Sequence, residues 1–90
     1  MEEYVFYNAL AADPKVLEEM QDSVLITMAH ELTGMVRKNR TVDWDKKEPA
    51  RSTMRSKVKR LLRKYRYPPE KSQGAVDIVI RQAELMSENT

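Results

Sequence analysis

Residues 41–70, TVDWDKKEPARSTMRSKVKRLLRKYRYPPE, decide the fold of this 90-residue chain. After Pro49, apolar residues recur at the spacing of one face of an α-helix, and most other positions are lysine or arginine. The apolar face comprises Ala50, Met54, Val58, Leu61, Leu62 and Tyr65. The cations are Arg51, Arg55, Lys57, Lys59, Arg60, Arg63, Lys64 and Arg66. The segment therefore predicts a basic helix over residues 50–66 that is buried on one side and strongly positive on the other.

Further helices precede and follow this basic helix. Apolar spacing and helix-start signals place them at residues 2–12, 14–21, about 22–39 and 70–87. No segment of the chain has the alternating period of a β-strand. The sequence therefore predicts an all-α fold, a compact bundle of four to five helices with short connections, in a single domain of residues 1–90.

Short polar residues and prolines mark the boundaries between these helices. Asp13 and Pro14 end the first helix, and Asp13 is expected to be the N-cap of the second. Pro49 is tolerable in the first turn of the basic helix, after a short extended connector at 41–44. The candidate N-caps are Asp22 or Ser23 for the third helix and Asp43 or Asp45 for the basic helix.

The first three helices each have an apolar face that should contribute to one core. Trp44 is expected to fill the gap between the third helix and the basic helix. Gly34 should cost the third helix about 1 kcal/mol relative to alanine, so either two helices approach closely there or the residue is simply tolerated. The core positions are Val5, Phe6, Ala9 and Leu10, then Val16, Leu17 and Met20, and then Leu25, Met28, Ala29, Leu32, Met35 and Val36.

The last helix is apolar on two sides. Ile78 and Leu85 lie about 150–180° away from its main stripe. One small core does not require that much apolar surface, so we expect this second side to contact something outside these ninety residues. The main stripe is Val76, Val79, Ile80, Ala83 and Met86.

Charge is segregated along the chain although the formal net charge is only +2. Residues 1–36 carry one basic and seven acidic side chains, residues 37–71 fourteen basic and four acidic, and residues 72–90 one basic and three acidic. Such asymmetry indicates an acidic partner, nucleic acid included, or internal pairing of the basic helix with the acidic first and second helices.

Composition argues against several classes of site. The chain contains no cysteine, which excludes disulfides and thiolate metal ligands and is compatible with a cytoplasmic protein. No run of about 18 apolar residues predicts a membrane span, and the acidic start does not resemble a signal peptide. Gly34 and Gly74, the two glycines, do not form a phosphate-binding loop. His30 lies on the polar side of its helix and is expected to be a surface residue rather than a catalytic base or a metal ligand.

Several motifs of the chain resemble one protein family. They are TVDW at 41–44, KRLLRKY at 59–65, YPPE at 67–70, FYNALA at 6–11, AHEL at 29–32, VRKN at 36–39 and QAEL at 82–85. Together they resemble the C-terminal region of the R (restriction, motor and nuclease) subunit of type I restriction enzymes. Arg66 departs from the resemblance, because glycine is expected between the two tyrosines, where a helix end favours the left-handed conformation.

The resemblance implies that these residues are the C-terminal piece of a much larger chain. It implies a parent enzyme that translocates and cleaves DNA with ATP and Mg²⁺ bound elsewhere, so no cofactor and no small-molecule substrate are expected in this piece. The parent's nuclease has an acid-x-lysine signature, which Asp13-Pro14-Lys15 and Asp45-Lys46-Lys47 match in letters only. Both lie at predicted helix starts rather than on the converging strands that a Mg²⁺ site needs.

Two functional hypotheses follow. In the first, the chain is a non-catalytic domain that docks the R subunit onto the methyltransferase (M) and specificity (S) subunits, with Ile78 and Leu85 in the contact. In the second, the basic helix binds the phosphate backbone of duplex DNA. Stacking on single-stranded bases is poorly supported, because Tyr65 lies on the apolar face and only Tyr67 remains. We favour a basic helix that is solvated or faces a protein partner.

Overall fold

The computed structural model describes residues 2–40 and 43–88 and confirms the all-α fold. In these residues five α-helices and one 3-10 turn follow one another without a β-strand. None of these helices is both long and apolar enough to cross a membrane. The elements are α1 (Glu2–Leu10), α2 (Pro14–Glu19), α3 (Asp22–Asn39), the 3-10 turn (Trp44–Lys46), α4 (Glu48–Lys64) and α5 (Pro69–Glu88).

One hydrophobic core joins all of these elements. Helix α1 packs against α3 and α5, and α4 packs against α3, α5 and the 3-10 turn. The predicted apolar face of the basic helix is confirmed, with Met54, Val58, Leu61 and Leu62 buried and Tyr65 packed at the edge of the core. The main stripe of α5 is buried from Val76 to Ala83. Helical amphipathicity thus accounts for the core.

Helices α1, α2 and α4 each end two residues earlier than the sequence predicts, so the predicted basic helix 50–66 is Glu48–Lys64 and Arg66 lies in the turn after it. Met20, directly after α2, has extended backbone, which terminates that helix. Asp13, which precedes α2, is also extended, so α1 does not continue into α2. The predicted N-cap is confirmed, because an oxygen of the Asp13 carboxylate accepts a hydrogen bond from the backbone N–H of Lys15 at 2.9 Å. Leu17 is 50% exposed, so its predicted burial is wrong. A six-residue helix presents only one side to the core, and Val16 occupies it.

The predicted N-caps of α3 and of the basic helix are wrong. Gln21 and Lys47 precede these helices, without side-chain cap hydrogen bonds. Asp22 instead lies in the first turn of α3, where its carboxylate accepts a hydrogen bond from the Tyr7 hydroxyl. Asp43 precedes the 3-10 turn and Asp45 lies within it, so neither residue is at the start of α4.

The connector before α4 is tighter than the extended segment that the sequence predicts. Thr41 and Val42 lie outside the described residues, but Asp43 is left-handed, with a φ of 57°, and Trp44 opens the 3-10 turn. The indole of Trp44 is buried at 1% exposure, as expected for a residue that fills a gap beside α4. Burial of this large aromatic side chain holds the segment that precedes the basic helix in place.

Helix α4 ends in a Schellman turn whose left-handed residue is Arg66. The φ of Arg66 is 59°, as the sequence predicted for this position. The backbone N–H of Tyr67 donates to the carbonyl of Leu62 at 3.0 Å, and that of Arg66 donates to Arg63 at 3.0 Å. These two bonds satisfy carbonyls at the helix end. Arginine adopts the conformation here that glycine would adopt without a steric penalty.

The hydroxyl of Tyr67 links this turn to the end of α1. It donates a hydrogen bond to the backbone carbonyl of Leu10 at 2.6 Å, across 57 positions of sequence. Tyr67 is 5% exposed, and burial raises the pKa of its hydroxyl to about 12. The bond satisfies a carbonyl that the end of a helix leaves without an intrahelical partner.

Substitution Gly34→Ala should stabilise the protein by about 1 kcal/mol. Gly34 is exposed within α3, and no described atom outside its two chain neighbours and the nearby backbone of α3 lies within 4 Å of an added Cβ, so the close helix approach considered above is absent. Urea denaturation should show a higher midpoint with an unchanged slope. Arg66→Ala, at a position with positive φ, should show no such gain. A lower midpoint for Gly34→Ala would contradict the open surroundings of this glycine.

Substitution Tyr67→Phe should lower the free energy of unfolding by about 1–3 kcal/mol, because it leaves the buried Leu10 carbonyl without its partner. The same denaturation measurement tests this expectation. Tyr4→Phe is the matched control, since Tyr4 is 68% exposed and should change stability by less than about 0.5 kcal/mol. Equal, small effects of both substitutions would show that the Tyr67 hydroxyl does not stabilise the turn.

Candidate functional site

The eight cations of the basic helix separate into a paired group and an unpaired group. The paired cations contact side chains of α3 or α5, and three of the four are half-buried against those helices. The contacts are Arg51 to Glu84 at 3.1 Å, Arg55 to Asp77 at 2.7 Å, Lys57 to the Asn39 side-chain oxygen at 2.6 Å, and Lys64 to Glu31 at 3.2 Å. These four cations therefore contribute to holding the helices together.

The partners of these cations differ from those that the charge distribution predicts. Pairing of the acidic first and second helices with the basic helix was one of the two alternatives, but in the part of the chain that the structure describes these helices do not pair. Glu2 of α1 instead bonds Arg37 of α3, with 2.6 Å between Oε1 and Nε, and Glu3 lies 2.8 Å from Nδ1 of His30. The pairing follows from which helices are in contact. Helix α1 packs against α3, so its carboxylates meet cations of α3, whereas α4 packs against α3 and α5.

Glu31, Lys64 and Tyr65 form the most connected polar cluster at the end of α4. The Tyr65 hydroxyl donates to the Glu31 carboxylate, which also accepts from the Lys64 ammonium. The Tyr65 hydrogen bond, followed by that of Lys64, lowers the pKa of Glu31. The same carboxylate raises the pKa of both Tyr65 and Lys64. The folded cluster therefore favours the ionised form of Glu31 and the protonated forms of Tyr65 and Lys64.

The unpaired group defines a basic patch made of Lys59, Arg60, Arg63 and Arg66. All four side chains are exposed, and none forms an ion pair with another described residue. Lys59 and Arg63 line a groove of about 300 Å³ between the end of α4 and the start of α5. The rest of its lining is Tyr67, Pro69, Ser72 and Gln73. The patch is thus a concentrated, uncompensated positive surface beside a groove.

The tyrosines beside the basic patch do not present their rings to a ligand. Tyr67 is buried, and its hydroxyl is bonded to Leu10. Tyr65 is partly buried, its hydroxyl is bonded to Glu31, and the Lys64 ammonium lies 5.3 Å from the ring centroid. Base stacking has no exposed aromatic platform here.

The outer face of α5 exposes an apolar pair, Ile78 and Leu85. Ile78 is 38% and Leu85 is 36% exposed, in agreement with the second stripe that the sequence predicts. Gly74 lies one turn before Ile78, and the two border a groove of about 200 Å³ between α5 and the end of α1. Contact of this pair with a partner stays a prediction.

A second apolar surface was missed from the sequence. Tyr4 of α1 is 68% exposed and Ile26 of α3 is 54% exposed, and both border a hollow of about 510 Å³ that Glu3 and Asp22 also line. Each residue lies just outside the apolar stripe of its own helix. This position is the only feature of the sequence that could have indicated their exposure. Their proximity follows from the packing of α1 against α3.

Asp13, one of the residues considered for catalysis, is held by an ion pair and a helix cap. The Asp13 carboxylate bonds the Lys71 ammonium at 2.9 Å and the backbone of Lys15, and these bonds lower its pKa. Asp45 lies in the 3-10 turn and His30 is exposed, as predicted for a surface histidine. Within residues 2–40 and 43–88, no three histidine, aspartate or glutamate side chains come together as a metal-binding group.

Substitution Tyr65→Phe should destabilise the protein at pH 7 and have a smaller effect at pH 3. The folded-state pKa of Glu31 is depressed, so its contribution is present above its unfolded pKa and is lost as the pH falls through the lower folded value. Denaturation of both proteins at the two pH values measures the difference. Thr27→Ala, which alters a hydroxyl bonded to the Ser23 carbonyl, should lack this pH dependence. An effect of Tyr65→Phe that is equal at both pH values would contradict the coupling to Glu31.

Comparisons with known proteins identify relatives across nearly the whole chain. The chain is 44% identical over 88 residues to the type I restriction enzyme HindI endonuclease subunit of Haemophilus influenzae, an alignment that covers 98% of this chain and 8% of that relative. The chain therefore spans only a small part of that protein's length. No solved structure matches the chain. The family described as type I restriction enzyme HindI endonuclease subunit-like, C-terminal, matches residues 1–89, and the chain belongs to this family.

Proposed function

We propose that this chain is a non-catalytic helical domain that helps to assemble the R subunit of a type I restriction enzyme with its methyltransferase core. Membership of a family formed by the C-terminal parts of endonuclease subunits supports this assignment to the R subunit. The observation that carries the assembly role is the exposed apolar pair, Ile78 and Leu85, on the outer face of α5. Exposed apolar side chains on one helix face are typical of protein contacts.

The activity of the whole protein is part of this proposal. The relative from Haemophilus influenzae is named as an endonuclease subunit, and this chain corresponds to 8% of it. We infer that DNA translocation and cleavage, with ATP and Mg²⁺, belong to other parts of a longer chain. The engagement of Asp13 as a helix cap and ion-pair partner supports a structural role for the acid-x-lysine sequence at 13–15.

The outer face of α5 is held in a fixed orientation, as a docking surface requires. The inner face of the helix buries Val76 and Val79 completely. Two ion pairs, Arg55 to Asp77 and Arg51 to Glu84, join α5 to α4 on either side of Ile80. A partner therefore meets a preorganised surface, and little conformational entropy is lost at this helix on binding.

The proposed occupant of this surface is the methyltransferase (M) subunit, with the specificity (S) subunit in the same complex. Full burial of an isoleucine or leucine side chain contributes about 1.5–3 kcal/mol, and each 1.4 kcal/mol is a tenfold change in affinity. The pair is already partly covered, so its contribution to docking should lie toward the lower end of that range.

The double substitution Ile78→Ser and Leu85→Ser should weaken binding to the cognate methyltransferase complex by about tenfold or more. Calorimetric titration of the 90-residue chain measures the affinity, and circular dichroism confirms that each variant is folded. The matched control is Leu17→Ser with Ile26→Ser, which removes two equally apolar and more exposed side chains from α2 and α3.

The control variant should bind the methyltransferase complex like the unsubstituted chain. Unchanged binding of the Ile78 and Leu85 variant would exclude this face as the docking surface. Equal losses in both variants would indicate general hydrophobic association in place of a defined contact.

A further inference from the structure

The basic patch carries exposed positive charge that the proposed assembly role does not use. We propose that Lys59, Arg60, Arg63 and Arg66 bind the phosphate backbone of duplex DNA, with the adjoining groove between α4 and α5 receiving a phosphate. This inference concerns a different surface from the apolar pair on α5 and is independent of it.

The positive charge of the patch is not neutralised by the carboxylates around it. Asp77 already bonds Arg55 at 2.7 Å and accepts from the Gln73 amide at 3.1 Å. Glu31 is held by Lys64 and Tyr65 at the other side of the helix end. The four like charges have no ion-pair partner in residues 2–40 and 43–88, so they repel one another, and an anionic ligand relieves that repulsion.

The groove beside the patch contains the groups that bind phosphate. Lys59 and Arg63 supply cations, and Ser72 and Gln73 supply neutral polar side chains of the kinds that contact phosphate and sugar oxygens. Its lining contains no carboxylate. By contrast, the grooves lined by Asp22, by Asp13 and by Glu48 each contain an acid. Of these four grooves, the one without an acid lies next to the uncompensated cations.

The geometry of α4 places residues of the patch in a row that can follow a DNA phosphate backbone. Lys59 and Arg63 are one turn apart, about 40° in rotation and about 6 Å along the helix axis. Arg66 follows in the turn that ends the helix. Arginine forms paired hydrogen bonds to phosphate oxygens, and three of the four patch residues are arginines.

The bound nucleic acid should be a duplex, contacted without sequence preference. Single-strand binding relies on aromatic rings that stack on bases, and both nearby tyrosines are engaged elsewhere. Phosphate contacts position a protein on a duplex but do not identify bases. Binding should therefore depend on the salt concentration far more than on the sequence.

The test compares two triple variants that remove the same charge from the 90-residue chain. The patch variant is K59Q/R60Q/R63Q. The control is K38Q/K46Q/K47Q, whose lysines are exposed and have no ion pair among the described residues. Fluorescence anisotropy with a labelled duplex measures affinity at several salt concentrations, and circular dichroism verifies that both variants are folded.

With three phosphate contacts, the logarithm of the binding constant should fall with the logarithm of the salt concentration with a slope of about −2.7. This slope corresponds to an affinity loss of about 40-fold between 50 and 200 mM salt. The unsubstituted chain and the control should show at least this dependence. The patch variant should bind at least about tenfold more weakly at 50 mM salt, with a slope reduced by about 2.7. Its binding to the methyltransferase complex should be unchanged, which separates this inference from the assembly role.

Three results would overturn the proposal. The first is no binding of the unsubstituted chain to duplex at tens of micromolar and 50 mM salt. The second is equal affinity of the patch variant and the control. The third is competition by poly-glutamate as effective as that by unlabelled duplex of equal charge, which would assign the patch to an acidic protein.

Discussion

The hydrogen bond from Tyr67 to the Leu10 carbonyl is the constraint on which the arrangement of surfaces depends. It joins the end of the first helix to the turn between the last two, and it completes a core to which every helix contributes. The same aromatic ring borders both the acid-free groove beside Lys59 and the groove beside Ile78. One buried side chain thus lies between the groove beside the basic patch and the groove beside Ile78.

The strongly basic helix is stable in the fold because some of its cations pair with neighbouring helices and the others are exposed to solvent. The half-buried cations along its first three turns, Arg51, Arg55 and Lys57, contact α5 and α3, where desolvation favours a partner. Of the cations toward its end, Lys64 pairs with Glu31, and those of the basic patch stay in solvent, where screening weakens their mutual repulsion. Net charge along the sequence does not reveal this division, because pairing follows the packing of helices and not the order of the segments.

Amphipathic spacing was sufficient to predict the five helices, the buried face of α4 and the exposed side of α5. Strong periods identify which side of a helix is buried, since burial of apolar area dominates folding. The Asp13 cap was also predictable, because its carboxylate bonds a backbone N–H only two residues away. The left-handed conformation of Arg66 was expected from the resemblance and from its place at a helix end.

Features that depend on contacts between distant segments were not predictable. Asp22 bonds Tyr7, fifteen positions away, so its side chain does not cap α3. The 3-10 turn at Trp44 arises from burial of the indole beside α4 and displaces the expected caps. The division of the basic helix, and the surface that Tyr4 and Ile26 share, likewise follow from packing partners that a single sequence does not specify.

The exposed side of α5 also has the geometry of a coiled-coil seam. Gly74, Ile78, Arg81 and Leu85 are spaced by four, three and four residues, which is the heptad rhythm of helices that pack side by side. The missing Cβ of Gly74 allows a neighbouring backbone to approach closely at one end of this seam. Arg81, exposed between the two apolar residues, would favour a partner helix in the register that places a carboxylate opposite it. A single charged position would then select the partner while the apolar ones hold it.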